Sequence, residues 1–206
     1  MLPLLEAISL LGVATVLLLG SPGPAPMTLA ALGAAQGFRC SLPFLGGLIA
    51  GLLLILLAAA SGLVSLLQSF PMFTTTLKWL GAAYIVYLAY RIATSPLIMA
   101  NGNNSVGFKN GLLFNLMNPK AYMALLSLLS QFALPLDSPV ASYALTIVLC
   151  LLLAIVVDGL WLALGKLAGS KLQSPEQILW LKRLMALGIL IALVLSLSQS
   201  IPPIKA

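Results

Sequence analysis

The sequence predicts an all-α integral membrane protein, with six transmembrane helices in an inverted 3+3 repeat and spans 1 and 4 broken at proline motifs. Three observations predict it. Apolar residues make up 61% of the 206-residue chain and charged residues 7%, and mean hydropathy is +1.13. A soluble domain carries roughly 25% charged residues, so this chain has too little polar surface to face water. Prolines interrupt two otherwise apolar runs, at Ser21-Pro22-Gly23-Pro24 and at Asn118-Pro119-Lys120, one in each half. Further residues recur in the same order after each interruption.

A bilayer core about 30 Å thick takes about 20 apolar residues per helical span. The first span is expected over about 8–34, inside a charge-free run from Ala7 to Phe38. Its break follows from backbone chemistry: Pro lacks an N–H and clashes with the preceding turn, and Gly beside it loosens the chain. The second and third spans are expected over about 43–67 and 73–94. The fourth, about 111–133, is broken at Asn118-Pro119-Lys120, and the fifth and sixth follow at about 140–164 and 181–200. Hydrocarbon offers no partner to a freed backbone group, so a break survives only against protein or a wet cavity. Paired breaks in two halves point to a transporter binding site between them.

The halves match residue by residue at a few places. Pro22 is followed 39 positions later by Ser61, within Ala60-Ser61-Gly62-Leu63, and Pro119 is followed 39 positions later by Asp158, within Val157-Asp158-Gly159-Leu160. Leu77-Lys78-Trp79-Leu80 then pairs with Leu181-Lys182-Arg183-Leu184, given a seven-residue insertion in the loop that holds Pro175. The expected organisation is one membrane domain, 1–206, with repeat A over about 1–95 and repeat B over about 108–206. A unit of three spans is odd, so the second copy enters from the opposite side and the site lies near the midplane between copies. The competing reading is coincidence in a low-diversity apolar chain.

The formal net charge of +6 is informative through its distribution. Arg39 lies between spans one and two, Arg91 and Lys109 flank the loop between three and four, and Lys166, Lys171, Lys182 and Arg183 flank that between five and six. The other side has Lys78 and Lys205, with Glu6 and Asp137 beside them. The positive-inside rule puts the three basic loops in the cytoplasm and both termini outside. No cleavable signal peptide is expected, because Met1 to Glu6 is acidic and no small-residue cleavage site closes the following run.

Lys120 is the most costly residue to place in a bilayer. It follows Lys109 by about ten residues, or about 15 Å of helix, which puts it near the midplane. An ionisable group there costs about 2.5–3.5 kcal/mol on insertion scales and is a functional-site candidate. A structural role competes, in which the ammonium bonds carbonyls freed by Pro119. Asp158 precedes Lys166 by eight residues, which sets it at similar depth, about 12 Å from the same face. A Lys120–Asp158 pair would offset the desolvation of each. In the functional reading Asp158 holds the ammonium of an amino acid or a coupling proton, while Lys120 and a broken-helix N-terminus hold the carboxylate. A purely architectural ion pair is the alternative.

The candidate substrate and ion site is therefore Ser21, Pro22, Gly23, Pro24, Ser61, Asn115, Asn118, Pro119, Lys120 and Asp158, with Gln36 and Gln131 as lesser polar candidates. Asn118 is equally suited to satisfying backbone groups beside Pro119. Trp161, one turn past Asp158, either walls a pocket or packs. Gly47 and Gly51, with Gly46 and Gly62 nearby, allow close helix approach within the bundle or in a dimer. Trp79, Tyr84, Tyr87 and Tyr90 suit the membrane interface and need no ligand.

These motifs resemble the LysE/RhtB family of amino-acid exporters. Ser21-Pro22-Gly23-Pro24 is similar to the family's first-span SPGP. The segment from Gly111 to Ala121, GLLFNLMNPKA, is similar to its GxLxNxxNPKA, and that from Leu77 to Leu88, LKWLGAAYIVYL, to its third-span pattern. The resemblance covers nearly the whole chain. It implies proton-driven efflux of amino acids or small derivatives across a bacterial inner membrane, with an amino-acid-like substrate, a proton and the bilayer as partners and homodimerisation open. One departure stands out: many members have Asn or Asp directly after SPGP, where this chain has Ala25. The acidic position of the second half is retained as Asp158.

Two other classes compete. A membrane thiol–disulfide electron carrier would use Cys40 and Cys150, which form no CxxC and otherwise read as small apolar residues. A non-transporting scaffold would tolerate neutral residues at positions 120 and 158. The chain has no histidine, which argues against a transition-metal carrier. Nucleotide loops, catalytic triads and metal clusters are absent from the sequence, so neither an enzyme nor a cofactor is expected.

Overall fold

The computed structural model describes residues 4–62, 71–94, 106–132, 134–171 and 175–199. Among them the regular secondary structure is all helical: α1 Leu4–Gly20, α2 Pro24–Gln36, α3 Phe38–Ala60, α4 Pro71–Thr94, α5 Phe108–Leu116, α6 Pro119–Gln131, α7 Pro139–Ser170 and α8 Pro175–Gln199. Proline opens α2, α6 and α7, where its missing N–H has no helical partner to lose and its fixed φ suits the first turn. Gly37 alone joins α2 to α3. It sits at φ 81°, a backbone state that favours glycine, and its N–H bonds the Gly33 carbonyl at 3.0 Å.

Of these helices, α3 and α7 are individually long and apolar enough to cross a membrane, and the bent pairs α1–α2 and α5–α6 qualify when each is taken together. The bends are 64° and 66°. The helix of 32 residues that forms α7 outruns the expected 140–164 and ends at Ser170, with Gly165 and Gly169 in its last turns held against α2. Helix α3 starts before position 43 and ends at Ala60, and Leu63, Lys205 and the last part of the 43–67 span lie outside the described residues.

Two apolar cores hold the bundle. One joins Leu29 and Leu32 of α2, Phe44 and Leu48 of α3, Ile85 of α4 and Ile189 of α8, with Phe114 of α5 edge-on to Phe44 at 5.9 Å. The other joins Leu11 of α1, Leu52 and Leu56 of α3, Leu125 and Leu128 of α6, and Cys150 of α7. Helix α4 packs on α8, and α8 in turn on α2. On the outside α7 shows Val148, Leu152, Ile155 and Leu160, an aliphatic surface suited to lipid.

Lipid is as apolar as leucine, so helix association here depends on van der Waals contact and close approach rather than on expelling water. Several of the closest approaches lie toward one end of the bundle, and Gly81 of α4 meets the Met117 carbonyl at the second bend. Gly165 of α7 lies against the Ala30 carbonyl of α2, while Gly47 of α3 lies against the Phe108 carbonyl of α5. A Cβ at either position would collide with main chain. The GxxxG glycines of α3 thus serve packing within the bundle. Exposed Arg39, Lys109, Lys166 and Lys171 mark this same end, where α2 passes into α3, α5 begins and α7 finishes.

Candidate functional site

The two bends face each other between the cores. At the first, α1 stops at Gly20. The Ser21 N–H bonds the Leu17 carbonyl at 3.2 Å, and the Ser21 hydroxyl donates to the Leu18 carbonyl at 3.0 Å. Gly23 is the N-cap of α2 with no side chain to cap, and the Met27 N–H closes the first turn onto its carbonyl at 3.0 Å. Pro24 and Pro26 carry no N–H, so Ala25 N–H is the free donor of that turn.

The second bend satisfies itself more fully. The Asn118 side chain accepts from the Lys120 N–H at 3.1 Å, and its carbonyl from the Ala121 N–H at 3.1 Å. The Tyr122 hydroxyl donates to the Leu116 carbonyl at 2.9 Å, covering the C-terminus of α5. Asn115 is 5% exposed, and its amide Nδ2 donates to the Leu48 carbonyl of α3 at 2.7 Å.

Side chains of the second half complete the first bend. Lys120 Nζ donates to the Ser21 carbonyl at 2.9 Å and to its Oγ at 2.8 Å, and Trp161 Nε1 donates to the Gly20 carbonyl at 3.1 Å. Lys120 lies directly over Gly23: a Cβ there would stand 2.7 Å from Nζ and 3.0 Å from Cδ.

A cavity of about 30 Å³ opens beside this junction, lined by Asn115, Asn118, Lys120 and Asp158 on its polar side and by Ala25, Leu48, Leu52 and Ala154 on its apolar side. At about 10–15 Å³ per water centre, it holds about two waters. The direct Lys120–Asp158 ion pair expected from sequence does not form: no ion pair within 4.0 Å joins them, although the two charges remain electrostatic neighbours. Lys120 instead donates to the carbonyl and hydroxyl of Ser21. The Asp158 carboxylate accepts no hydrogen bond among the described residues and faces the cavity.

The structure thus brings Ser21, Gly23, Asn115, Asn118, Lys120 and Asp158 together. Pro24 and Pro119 set the helix starts beside them, and Pro22 is exposed in the link. Ser61 stands apart: it ends α3 as an exposed C-cap and bonds the Ala58 carbonyl at 3.0 Å. Its pairing with Asp158 fails because α3 stops there, whereas α7 runs on well past Asp158. Pro24 and Pro119 each open a helix of 13 residues, whereas Pro22 lies in the link before α2. Gln36 bonds Ser41 at 3.2 Å and Gln131 is exposed, both away from the cavity lining.

Tyr122 and Trp161 carry no sequence signal for the bonds they make. Both act through single donors to main-chain carbonyls, of Leu116 six residues away and of distant Gly20, and no motif announces such a partner. Gly165 and Gly169 do form a legible small-xxx-small pattern in α7.

Cys40 and Cys150 are both free, the first exposed and the second buried with Thr15 Oγ1 3.7 Å away. Cys40 sits in the first turn of α3 at the basic end, whereas Cys150 lies about 30 Å along α7 from the Ser170 terminus at that end. A disulfide needs Cα atoms within about 7 Å, so the pair is too far apart for the thiol–disulfide alternative.

Comparison with known proteins identifies a family. The family model described as LysE type translocator matches residues 9–197. A cysteine/O-acetylserine efflux protein of Salmonella choleraesuis is 36% identical over 116 residues, covering 56% of this chain and 60% of the relative. The protein of that name in Klebsiella pneumoniae is 34% identical over 116 residues, covering 56% and 59%. An uncharacterised membrane protein of Pseudomonas aeruginosa is 35% identical over 136 residues, covering 61% and 62%. The chain therefore spans about three fifths of the length of the curated relatives it matches. No solved structure matches. A family match over nearly the whole chain, joined to apolar helices that bend at paired prolines, makes this membrane protein a member of the LysE type translocator family.

Proposed function

We propose that this protein exports amino acids or small amino-acid derivatives across a bacterial inner membrane, coupled to protons, by alternating access around the cavity between the bends. The observation that carries the proposal is a carboxylate and an ammonium on one cavity, not bonded to each other, with the carboxylate accepting no hydrogen bond among the described residues. A free amino acid presents the complementary pair. Asp158 takes its ammonium, and Lys120 with Ala25 N–H takes its carboxylate.

The same carboxylate accounts for coupling. Asp158 holds either a substrate ammonium or a proton, so occupancy by one excludes the other, and alternate loading on the two sides exchanges them. A cavity with room for about two waters is too small for serine or cysteine, which supports reading this state as closed. Two similarly bent helix pairs with second segments of 13 residues support an inverted repeat. The basic end, marked by Arg39, Lys109 and Lys171, is then cytoplasmic, with both termini outside. The names of the Salmonella and Klebsiella relatives support the substrate class.

The deciding experiment expresses Asp158→Asn in an amino-acid-sensitive host and measures export alongside membrane insertion. Export is expected to fall to background with insertion unchanged. Export at the wild-type level would end the proposal.

A further inference from the structure

The charge balance of the cavity narrows its cargo. Ala25 and Lys120 occupy equivalent positions: each follows the proline that opens a 13-residue helix, and each lines the cavity. One position carries an ammonium and the other a methyl group. Asp158 is the carboxylate in the lining, so the cavity holds one charge of each sign. Leu18, Leu19, Leu52 and Ala154 supply no polar side-chain atom to the remaining wall.

Two further polar atoms stand ready for cargo. Asn118 is 3% exposed and spends its Oδ1 on Lys120 N–H, leaving Nδ2 with no partner among the described residues. Asn115 spends Nδ2 on the Leu48 carbonyl, leaving Oδ1 in the same condition. Both residues line the cavity. They are a donor and an acceptor suited to an uncharged group.

We propose that the site selects zwitterions of zero net charge with compact, uncharged side chains, and that Ala25 enforces this by withholding a second charge from the cavity. The inference rests on the exporter reading above. A zwitterion spends both of its charges on Asp158 and Lys120. The side-chain ammonium of lysine or the second carboxylate of glutamate would then enter with no counter-charge, and a buried charge without a partner is strongly disfavoured. A hydroxyl, thiol or ester can be met by Asn115 and Asn118, and a methyl group by the leucines.

The test reconstitutes the full chain in liposomes and measures counterflow of alanine, serine, cysteine, lysine and glutamate. Neutral amino acids are expected to exchange about tenfold or more faster than lysine and glutamate, the scale set by an unpaired buried charge. Ala25→Asp supplies the missing carboxylate and is expected to raise lysine exchange relative to alanine, leaving glutamate excluded. Wild-type exchange of lysine or glutamate as fast as alanine overturns the inference while leaving the exporter reading intact. Absence of exchange for every amino acid, with protein correctly inserted, overturns the exporter reading and this inference with it. Should Ala25→Asp fail to insert, the wild-type panel alone decides.

Discussion

The Lys120 ammonium reaches across the interface between the two halves of the chain to the Ser21 carbonyl, at 2.9 Å. The Ser21 hydroxyl at 2.8 Å and the Trp161 indole on the neighbouring Gly20 carbonyl complete the contact. A bend frees carbonyls that hydrocarbon cannot satisfy, and here the donors come from the other half. The first bend is therefore not self-sufficient. Its geometry depends on α6 and α7 being in place.

Lys120→Met removes the ammonium and leaves the Ser21 carbonyl without its donor. Hydrogen bonds to charged groups contribute about 1.5–3 kcal/mol, so a clear loss of thermal stability in detergent is expected. Ser21→Ala keeps the carbonyl contact and should cost less, about 1 kcal/mol. Equal melting temperatures for Lys120→Met and wild type would show that the contact does not hold the bend.

Gly23→Ala places a methyl 2.7 Å from Lys120 Nζ, so the lysine must move. Loss of export comparable to that of Lys120→Met is expected. The double variant should be no worse than Lys120→Met alone, because both changes act on one contact and such effects are not additive. Additive losses, read from the four export rates, would mean that Gly23 acts through something other than Lys120.

Gly165→Ala drives a Cβ into the Ala30 carbonyl of α2 and should destabilise by about 1–3 kcal/mol, the range for overpacking. Gly159, on the same helix, has nothing within 4 Å of its would-be Cβ. Gly159→Ala should be neutral or stabilising by about 0.5–1 kcal/mol, as for glycine replaced by alanine within a helix. Melting curves of the two variants side by side test the contrast, and equal shifts would contradict the close approach of α2 and α7.

Much of the candidate site is legible in the sequence because bilayers make certain residues expensive. Lys120 and Asp158 stand out in a chain with 7% charged residues, and Asn118 beside Pro119 reads as a cap for the bend. Ser61 matches Asp158 in its spacing from a proline, 39 residues after Pro22 as Asp158 is after Pro119, yet it lies outside the cavity lining. Spacing counts residues and takes no account of where a helix ends. Trp161 and Tyr122 were not legible as donors, since their acceptors are main-chain carbonyls, which carry no residue-type signature.

The amino-acid sequence by itself determined that this is a helical membrane protein, that its helices stop at the two proline motifs, and which charges need a reason to exist. Those properties depend on composition and on local backbone chemistry, which neighbours in sequence settle. Only the tertiary structure decided that Lys120 donates to Ser21 rather than to Asp158, that Ala25 and Lys120 line one cavity, and that Ser61 lies outside it. Each of these depends on how helices distant in sequence are rotated and set against one another, and that is fixed by packing at contacts such as Gly165 on Ala30.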